Sequence, residues 1–302
     1  MTAGIVEIRS GQLELGVVPE IGGSIAFFRL RRGEKTIQLL RPLSDADRAS
    51  GNILGVAMFP MVPYANCIED NRFAFAGRDY RVEPNLSGYK FNFHGRGWLS
   101  KWTVSGKSDD RVTLSLVDEE AGQPHQYSAT QEFVLASGRL AVTTAITNTG
   151  PLPMPFGFGQ HPWFPRHSDT TVCFRARRFW IETPDSSAAE PITVPPELDF
   201  SAPRAPPLVR RNNCYDGWDG IAEIVWPRLG VGFRMMADPV FGRLMVYFPL
   251  PSETIFCLEP QTNAVSALTK ALTAADREAL GLIVLEPGQS AGGTFSLEPF
   301  QP

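Results

Sequence analysis

Hydrophobic and polar residues alternate along most of this chain, and this pattern constrains the fold more than any other feature. The alternation is clearest in residues 111–119, 126–135 and 140–148, and the last two segments are joined at Ser137-Gly138. Because successive side chains of a strand point to opposite faces, a period of two indicates strands that bury one face. We therefore expect strands here, with a hairpin turn at Ser137-Gly138.

The same pattern continues towards the C-terminus. Further strands are expected over residues 171–183, 223–226, 231–236, 244–248, 254–258 and 294–297. Only residues 267–280 look helical, with Thr273 as a helix start. Strands that follow one another without alternating helices predict an all-β fold, a large antiparallel β-sandwich with little helix. Proline-rich residues 191–207 are expected to form a surface loop, and residues 1–302 a single domain.

Composition excludes several classes of partner and cofactor. Lys and Arg number 28 against 32 Asp and Glu, so the net charge of -4 gives no basis for binding nucleic acid or an anionic membrane. The four cysteines lie far apart without a C-x-x-C pair, so we expect reduced thiols and no structural metal. No segment has the character of a signal peptide or a membrane span, which predicts a cytoplasmic protein.

Polar residues interrupt apolar runs at three places, and each place contains a candidate for chemistry. His161 follows Gly157-Phe-Gly and precedes Pro162-Trp163. Proline favours extended backbone in the residue before it, so we expect His161 at the end of a strand beside a large aromatic side chain. A lone histidine is more often structural, but the glycine-rich approach and the aromatic neighbours favour a functional one.

The other two candidates are His94 and Glu259. If residues 90–96 are extended, Lys90, Asn92, His94 and Arg96 share a face, either solvated or in contact with a ligand. Glu259 follows the apolar strand 254–258 and either caps a turn or enters a pocket, where burial would raise its pKa towards that of a useful base.

Other chemistries need residues that this chain lacks or supplies only in part. His125 and His167 lie in polar segments and are expected to be exposed. Two histidines and a glutamate could ligate zinc, but H-E-x-x-H is absent and no metal site is expected. A glycosidase needs two carboxylates, and Asp216 or Asp219 could partner Glu259, so that reading stays open.

The ordered set of motifs resembles the aldose 1-epimerase (galactose mutarotase) family over nearly the whole chain. The matching segments are Pro63-Tyr-Ala-Asn-Cys-Ile, His94-Gly95, Gly159-Gln-His-Pro-Trp-Phe and Leu258-Glu-Pro-Gln-Thr. The resemblance implies a β-sandwich of the galactose mutarotase-like type, no cofactor, and a sugar substrate. It implies Glu259 as catalytic base, His161 as catalytic acid and His94 as an assisting group. The residues expected to bind the sugar are Asn66, Cys67, Arg96, Trp163, Asn212 and Asp216.

Two departures from the family pattern concern the substrate. Cys67 stands where the family commonly has an arginine, and Asn212 where it often has an aspartate. Three functions therefore stay open: a mutarotase for a neutral aldose, the same reaction on an anionic sugar, and a non-catalytic sugar-binding module. An anion could be held by Lys90, Arg96 or the Arg210-Arg211 pair. Assembly as a homodimer also stays open.

Overall fold

Strands dominate the structure, a computed structural model that describes residues 2–183 and 188–302. The strands of these residues are, in chain order, β1 (Val6–Ser10), β2 (Leu13–Val18), β3 (Ser24–Arg32), β4 (Lys35–Gln38), β5 (Met58–Met61), β6 (Cys67–Ile68), β7 (Arg72–Phe75), β8 (Arg78–Arg81), β9 (Asn92–Phe93), β10 (Thr103–Lys107), β11 (Arg111–Asp118), β12 (Tyr127–Ala136), β13 (Arg139–Asn148), β14 (Met154–Phe156), β15 (Gly159–Pro165), β16 (Thr171–Phe174), β17 (Arg178–Glu182), β18 (Ala188–Thr193), β19 (Arg211–Asp216), β20 (Ile221–Trp226), β21 (Val231–Ala237), β22 (Arg243–Phe248), β23 (Ile255–Gln261), β24 (Ile283–Leu285) and β25 (Ser290–Phe300). The α-helices are α1 (Asp45–Ser50), α2 (Ala267–Lys270) and α3 (Ala274–Ala279).

Two large antiparallel sheets form the sandwich that the alternation predicts. The larger sheet has the order β1-β2-β3-β5-β15-β23-β22-β19-β17-β18, with β4 paired to β3. The smaller sheet has the order β10-β11-β12-β13-β25-β21-β20-β16. The hairpin of β12 and β13 turns at Ser137 and Gly138, both with positive φ, as a tight hairpin turn requires.

The core lies between the two sheets. Phe164 of the larger sheet meets Phe233 of the smaller one with ring centroids 5.7 Å apart. One buried polar link crosses the same space, because the Gln160 side-chain amide donates to Gln131 Oε1 and to the Thr144 hydroxyl at 3.0 and 2.9 Å. Both sheets are thus joined by packing and by buried side-chain hydrogen bonds.

Strand alternation in the centre of the larger sheet separates core residues from site residues. In β23, Phe256 and Leu258 face the core, so Cys257 and Glu259 face away from it. In β15, Phe164 faces the core, so His161 and Trp163 share the outer face. The outer face of this sheet is therefore where the candidate site lies.

The long strand expected over residues 171–183 is wrong. The segment forms two strands in different sheets: β16 pairs with β20 in the smaller sheet, and β17 pairs with β18 and β19 in the larger one. A break at residues 175–177 carries the chain from one sheet to the other. Alternation continues across the break, and for that reason the sequence shows one strand.

Other local expectations are corrected as well. The single helical region is two short helices, α2 and α3, and α1 was not predicted although Ser44 caps it by accepting from the Asp47 N–H. The expected loop 191–207 includes the end of β18 and a short 3₁₀ turn at Pro196–Leu198. Within the described ranges, no helix combines the length and apolar character needed to cross a membrane.

Candidate active site

A cavity of about 220 Å³ opens on the outer face of the larger sheet. It is smaller than the usual pocket for a drug-sized ligand and suits a monosaccharide. Its lining residues are Leu54, Phe59, Asn66, Leu86, Tyr89, Phe93, His94, Trp98, His161, Trp163, Arg210, Asn212, Met245, Tyr247 and Glu259.

His161 and Glu259 face each other across neighbouring strands at the floor of the cavity. Gly159 pairs with Gln261 and Trp163 with Cys257, so the register sets His161 opposite Glu259. His161 Nε2 lies 3.2 Å from Glu259 Oε1. Directly opposed side chains of an antiparallel pair are the closest neighbours that a sheet offers, which explains the contact. The sequence analysis expected both residues at strand ends. The structure places them inside strands, His161 in β15 and Glu259 in β23.

Burial changes the proton affinity of both groups. The Glu259 side chain is 3% exposed, and loss of hydration raises the pKa of its carboxyl well above the ordinary value. Burial lowers the pKa of the His161 imidazole well below its ordinary value, and the neighbouring His94 acts in the same direction. The first shift makes Glu259 a stronger base, and the second makes imidazolium at His161 a stronger acid.

Aromatic rings fix the orientation of His161. Phe59 lies on one side with ring centroids 4.4 Å apart, and the Trp163 indole is stacked at 4.8 Å. The Arg41 guanidinium lies over the Trp163 ring at 4.4 Å and donates to the carbonyls of Leu54 and Val56, both at 2.6 Å. Arg41 thus anchors the indole that supports the imidazole.

His94 enters the cavity from a strained turn. His94 and Gly95 have φ of 57° and 65°, so residues 90–96 are not one extended run, and the condition for a shared face is not met. A Cβ at residue 95 would lie 2.2 Å from Pro63 Cδ, which explains why glycine follows the histidine. The Asn85 side-chain amide holds the turn by donating to the carbonyls of Phe93 and Gly95 at 2.7 and 2.6 Å.

The backbone also sets the tautomer of His94. The Asn66 N–H donates to His94 Nδ1 at 2.9 Å, so a neutral imidazole carries its proton on Nε2. Burial lowers the pKa of His94 to about 3, and the ring is therefore neutral near pH 7. His94 is suited to donate a hydrogen bond through Nε2–H, not to act as an acid.

Of the six residues expected to bind sugar, the structure brings three to the cavity: Asn66, Trp163 and Asn212. Asn212 is held through its amide, which donates to Glu182 Oε1 at 3.1 Å. Cys67 does not line the cavity, since it is 2% exposed and its Sγ lies 3.4 Å from the Ser266 hydroxyl.

The structure also places Arg96 and Asp216 outside the cavity. The turn at His94 and Gly95 directs Arg96 to the opposite side, where it pairs with Asp118 at 3.1 Å and with Glu120. Asp216 pairs with Arg243 at 3.3 Å and with Arg178. Asp219 accepts from the Ile221 N–H at 3.0 Å and is no closer to the site, so the carboxylate pair of a glycosidase does not form at Glu259.

Sequence reasoning missed several residues of the site. Phe59, Met245 and Tyr247 come from β5 and β22, and Arg41 from the segment before α1. For Phe59 and Met245 the signal is strand register, because Phe59 pairs with His161 and Met245 with Glu259. Strand order is needed to see this, and alternation alone does not supply it.

The two remaining histidines, His125 and His167, differ in how exposed they are to solvent. His125 was expected to be exposed, but it is 4% exposed and its Nε2 lies 2.9 Å from the Pro155 carbonyl oxygen, packed among Tyr64, Phe73 and Phe156. The residues beside His125 in the sequence are polar, so the sequence gives no sign that His125 is buried. His167 is exposed, as expected.

Comparison with known proteins connects this geometry to a family. The family model for aldose 1-epimerase matches residues 4–298. The uncharacterized protein YphB of Escherichia coli K12 is 33% identical over 300 residues, which cover 97% of this chain and 98% of YphB. A solved candidate aldose 1-epimerase from Escherichia coli K12 superposes with a TM-score of 0.89 at 32% identity, covering 99% of each chain.

More distant structures share the fold. A galactose mutarotase-like protein from Clostridium acetobutylicum has a TM-score of 0.84 at 19% identity, covering 100% of this chain and 99% of its own. The match of the family model to residues 4–298 shows that the chain belongs to the aldose 1-epimerase family. It is an enzyme of the isomerase class with a galactose mutarotase-like fold, and its function is that of a sugar epimerase or mutarotase.

Proposed function

We propose that this enzyme interconverts the α and β anomers of a neutral aldose, with Glu259 as base and His161 as acid. The observation that carries the proposal is the opposed, dehydrated pair with 3.2 Å between His161 Nε2 and Glu259 Oε1. Positioned proton transfer of this kind needs one group that accepts and one that donates within reach of a bound ligand.

Protons balance in each step of the reaction. Glu259 removes the proton of the anomeric hydroxyl while imidazolium at His161 protonates the ring oxygen, so the ring C–O bond breaks and an open-chain aldehyde forms. The pair changes from carboxylate and imidazolium to carboxylic acid and imidazole. Rotation about the C1–C2 bond and the reverse transfers close the other anomer. Burial favours the uncharged pair, so the shifts at both groups assist ring opening.

His94 acts beside the acid and the base as a neutral hydrogen-bond donor. Its Nε2–H would hydrogen-bond the ring oxygen, since Nδ1 is already occupied by the Asn66 N–H. Such a bond strengthens as the oxygen gains charge during ring opening.

The charges around the cavity favour a neutral sugar over an anionic one. Arg210 is the only Lys or Arg among the described residues that line the cavity, and its guanidinium donates to both oxygens of Glu182 at 2.8 and 3.1 Å. Arg96 is paired elsewhere, and Lys90 does not line the cavity. A phosphate or sulfonate would also face the Glu259 carboxylate in a dry site.

We further propose that residues 1–302 form one domain and that the enzyme works in the cytoplasm. One core cluster includes residues from Ile8 to Leu297, which supports a single folding unit. The four cysteines carry thiols, as is usual for proteins of a reducing compartment.

Polarimetry of freshly dissolved anomers tests the substrate class. Glucose and galactose are compared with glucose 6-phosphate at equal enzyme concentration. We expect accelerated equilibration of at least one neutral aldose and a lower kcat/KM for the phosphate. Efficient turnover of the phosphate alone would contradict the neutral-substrate proposal, and binding without acceleration of any sugar would favour a sugar-binding module.

A further inference from the structure

A third metal-ligating side chain adjoins the acid/base pair. Cys257 and Glu259 are two residues apart on β23 and therefore project from the same face, next to His161 on β15. One ligand atom from each of the three residues lies within 4.8 Å of the other two. Cys257 is 0% exposed and does not line the cavity, and the proposed reaction gives it no role.

The spacing of these atoms is close to that of a zinc coordination sphere. Zinc bonds of about 2.0–2.3 Å in tetrahedral geometry separate neighbouring ligand atoms by roughly 3.3–3.6 Å. His161 Nε2 and Glu259 Oε1 already lie 3.2 Å apart. Since all three ligand atoms lie within 4.8 Å of one another, the thiol sulfur needs to approach by no more than about 1.5 Å, a distance that a rotation of the cysteine side chain can supply.

The donor set also balances the charge. A thiolate and a carboxylate neutralise a divalent cation, and a neutral imidazole completes three ligands with a fourth position open. Burial and the neighbouring Glu259 carboxylate raise the pKa of the Cys257 thiol well above its ordinary value, and the Arg41 guanidinium opposes them only in part, so the thiol gives up its proton only when the cation binds. A bare carboxylate site would prefer Mg²⁺ or Ca²⁺, whereas sulfur and nitrogen select softer ions such as Zn²⁺.

We propose that His161, Cys257 and Glu259 form a binding site for a thiophilic divalent cation, whose occupancy blocks mutarotation. The ion enters through the cavity, because His161 and Glu259 belong to its lining. On binding, the thiol proton and the single proton shared by His161 and Glu259 pass to solvent, so neither acid nor base remains. The inhibitory effect rests on the proposed function; the binding does not.

Cobalt(II) and zinc(II) added to the purified enzyme test the proposal. With Co²⁺, we expect the intense near-ultraviolet charge-transfer band of a cobalt–thiolate bond, displaced by Zn²⁺. Cys257→Ser and Cys257→Ala should lose the band and weaken Zn²⁺ binding at least tenfold, since even indirect partners of a metal site change affinity about 10–100-fold. Cys173→Ser, at a half-buried cysteine of β16 in the other sheet, should keep both.

The second readout is the mutarotase rate. Zn²⁺ should inhibit the wild type and Cys173→Ser, with recovery on addition of EDTA, while the Cys257 variants should need at least tenfold more Zn²⁺. A wild type without a cobalt–thiolate band would refute the proposed metal site. Cys257 variants that bind Zn²⁺ as tightly as the wild type would also refute it. Near-ultraviolet circular dichroism checks that these variants are folded. A cobalt band in an enzyme that accelerates no sugar would leave the metal site intact and refute only the proposed function.

Discussion

The chemistry of the individual residues in this site depends on how completely water is excluded from them. Glu259 and His161 are ordinary side chains whose proton affinities move in opposite directions because the same cavity floor excludes water from both. A carboxylate at the end of a strand in solvent would be a much weaker base. The position of Glu259 in the middle of the larger sheet therefore supports the proposed role of Glu259 as base.

Glu259→Gln tests the base. The amide keeps the size and hydrogen bonding of the side chain but accepts no proton, so kcat should fall by about 10²–10⁴-fold with little change in sugar affinity. Glu286→Gln is the matched control, because Glu286 occurs in the same Leu-Glu-Pro context but is exposed in a turn. Stopped-flow polarimetry measures the loss, and near-native kcat in Glu259→Gln would place the base elsewhere.

The pH dependence of kcat/KM tests the pair as a unit. The active pair holds one proton, and burial disfavours both the doubly protonated cation and the fully deprotonated anion. The lower limb should therefore lie below the ordinary histidine value of 6.5, and the upper limb above the ordinary glutamate value of 4.5. A lower limb above pH 6.5 or an upper limb below pH 4.5 would contradict the account.

His94→Gln separates a hydrogen-bond donor from a titrating group. Because the pKa of His94 is about 3, its protonation does not set either limb near neutrality. We expect His94→Gln to lower kcat while both limbs stay at their wild-type pH values. His161→Asn should instead remove the two-limbed shape. A limb that disappears in His94→Gln would show that His94 itself transfers a proton.

At the scale of elements, the buried His125 ties the segment before β12 to β14. Its ring nitrogen contacts the Pro155 carbonyl oxygen, and burial lowers its pKa to about 4. His125→Leu leaves that carbonyl without its partner and should lower the free energy of unfolding by about 1–3 kcal/mol. Urea titration measures the change. The exposed His167→Leu is the control, and equal stability of both variants would argue against the docking role.

The same burial predicts how stability depends on pH. His94 and His125 bind protons in the unfolded chain near pH 6.5 but only near pH 3 and 4 in the folded one. The contribution of these two histidines to stability is then fully present above pH 6.5 and is lost as the pH decreases towards 4, by up to about 1.4 kcal/mol per pH unit for each histidine. His125→Leu should show a shallower fall between pH 6.5 and 4.5, and an unchanged slope would contradict the assignment.

At the scale of the whole molecule, alternation was enough to predict the antiparallel sandwich, and three motifs were enough to select His94, His161 and Glu259. Strand partners were not predictable, and so Phe59, Met245 and Arg41 were missed. Arg96 and Cys67 were assigned to sugar binding by position in a motif. A left-handed turn at His94 and burial against Ser266 direct these two side chains elsewhere. Side-chain direction at such turns depends on tertiary contacts, not on local pattern.

Exchange spectroscopy by NMR on an equilibrated mixture of α and β anomers measures the central claim most directly, because it observes ring opening and closure without a coupled enzyme. With a neutral aldose accepted by the wild type, we predict exchange far above the spontaneous rate, lost in Glu259→Gln and kept in Glu286→Gln. A wild type that leaves the spontaneous exchange rate of every neutral aldose unchanged would contradict the account, as would equal acceleration by Glu259→Gln.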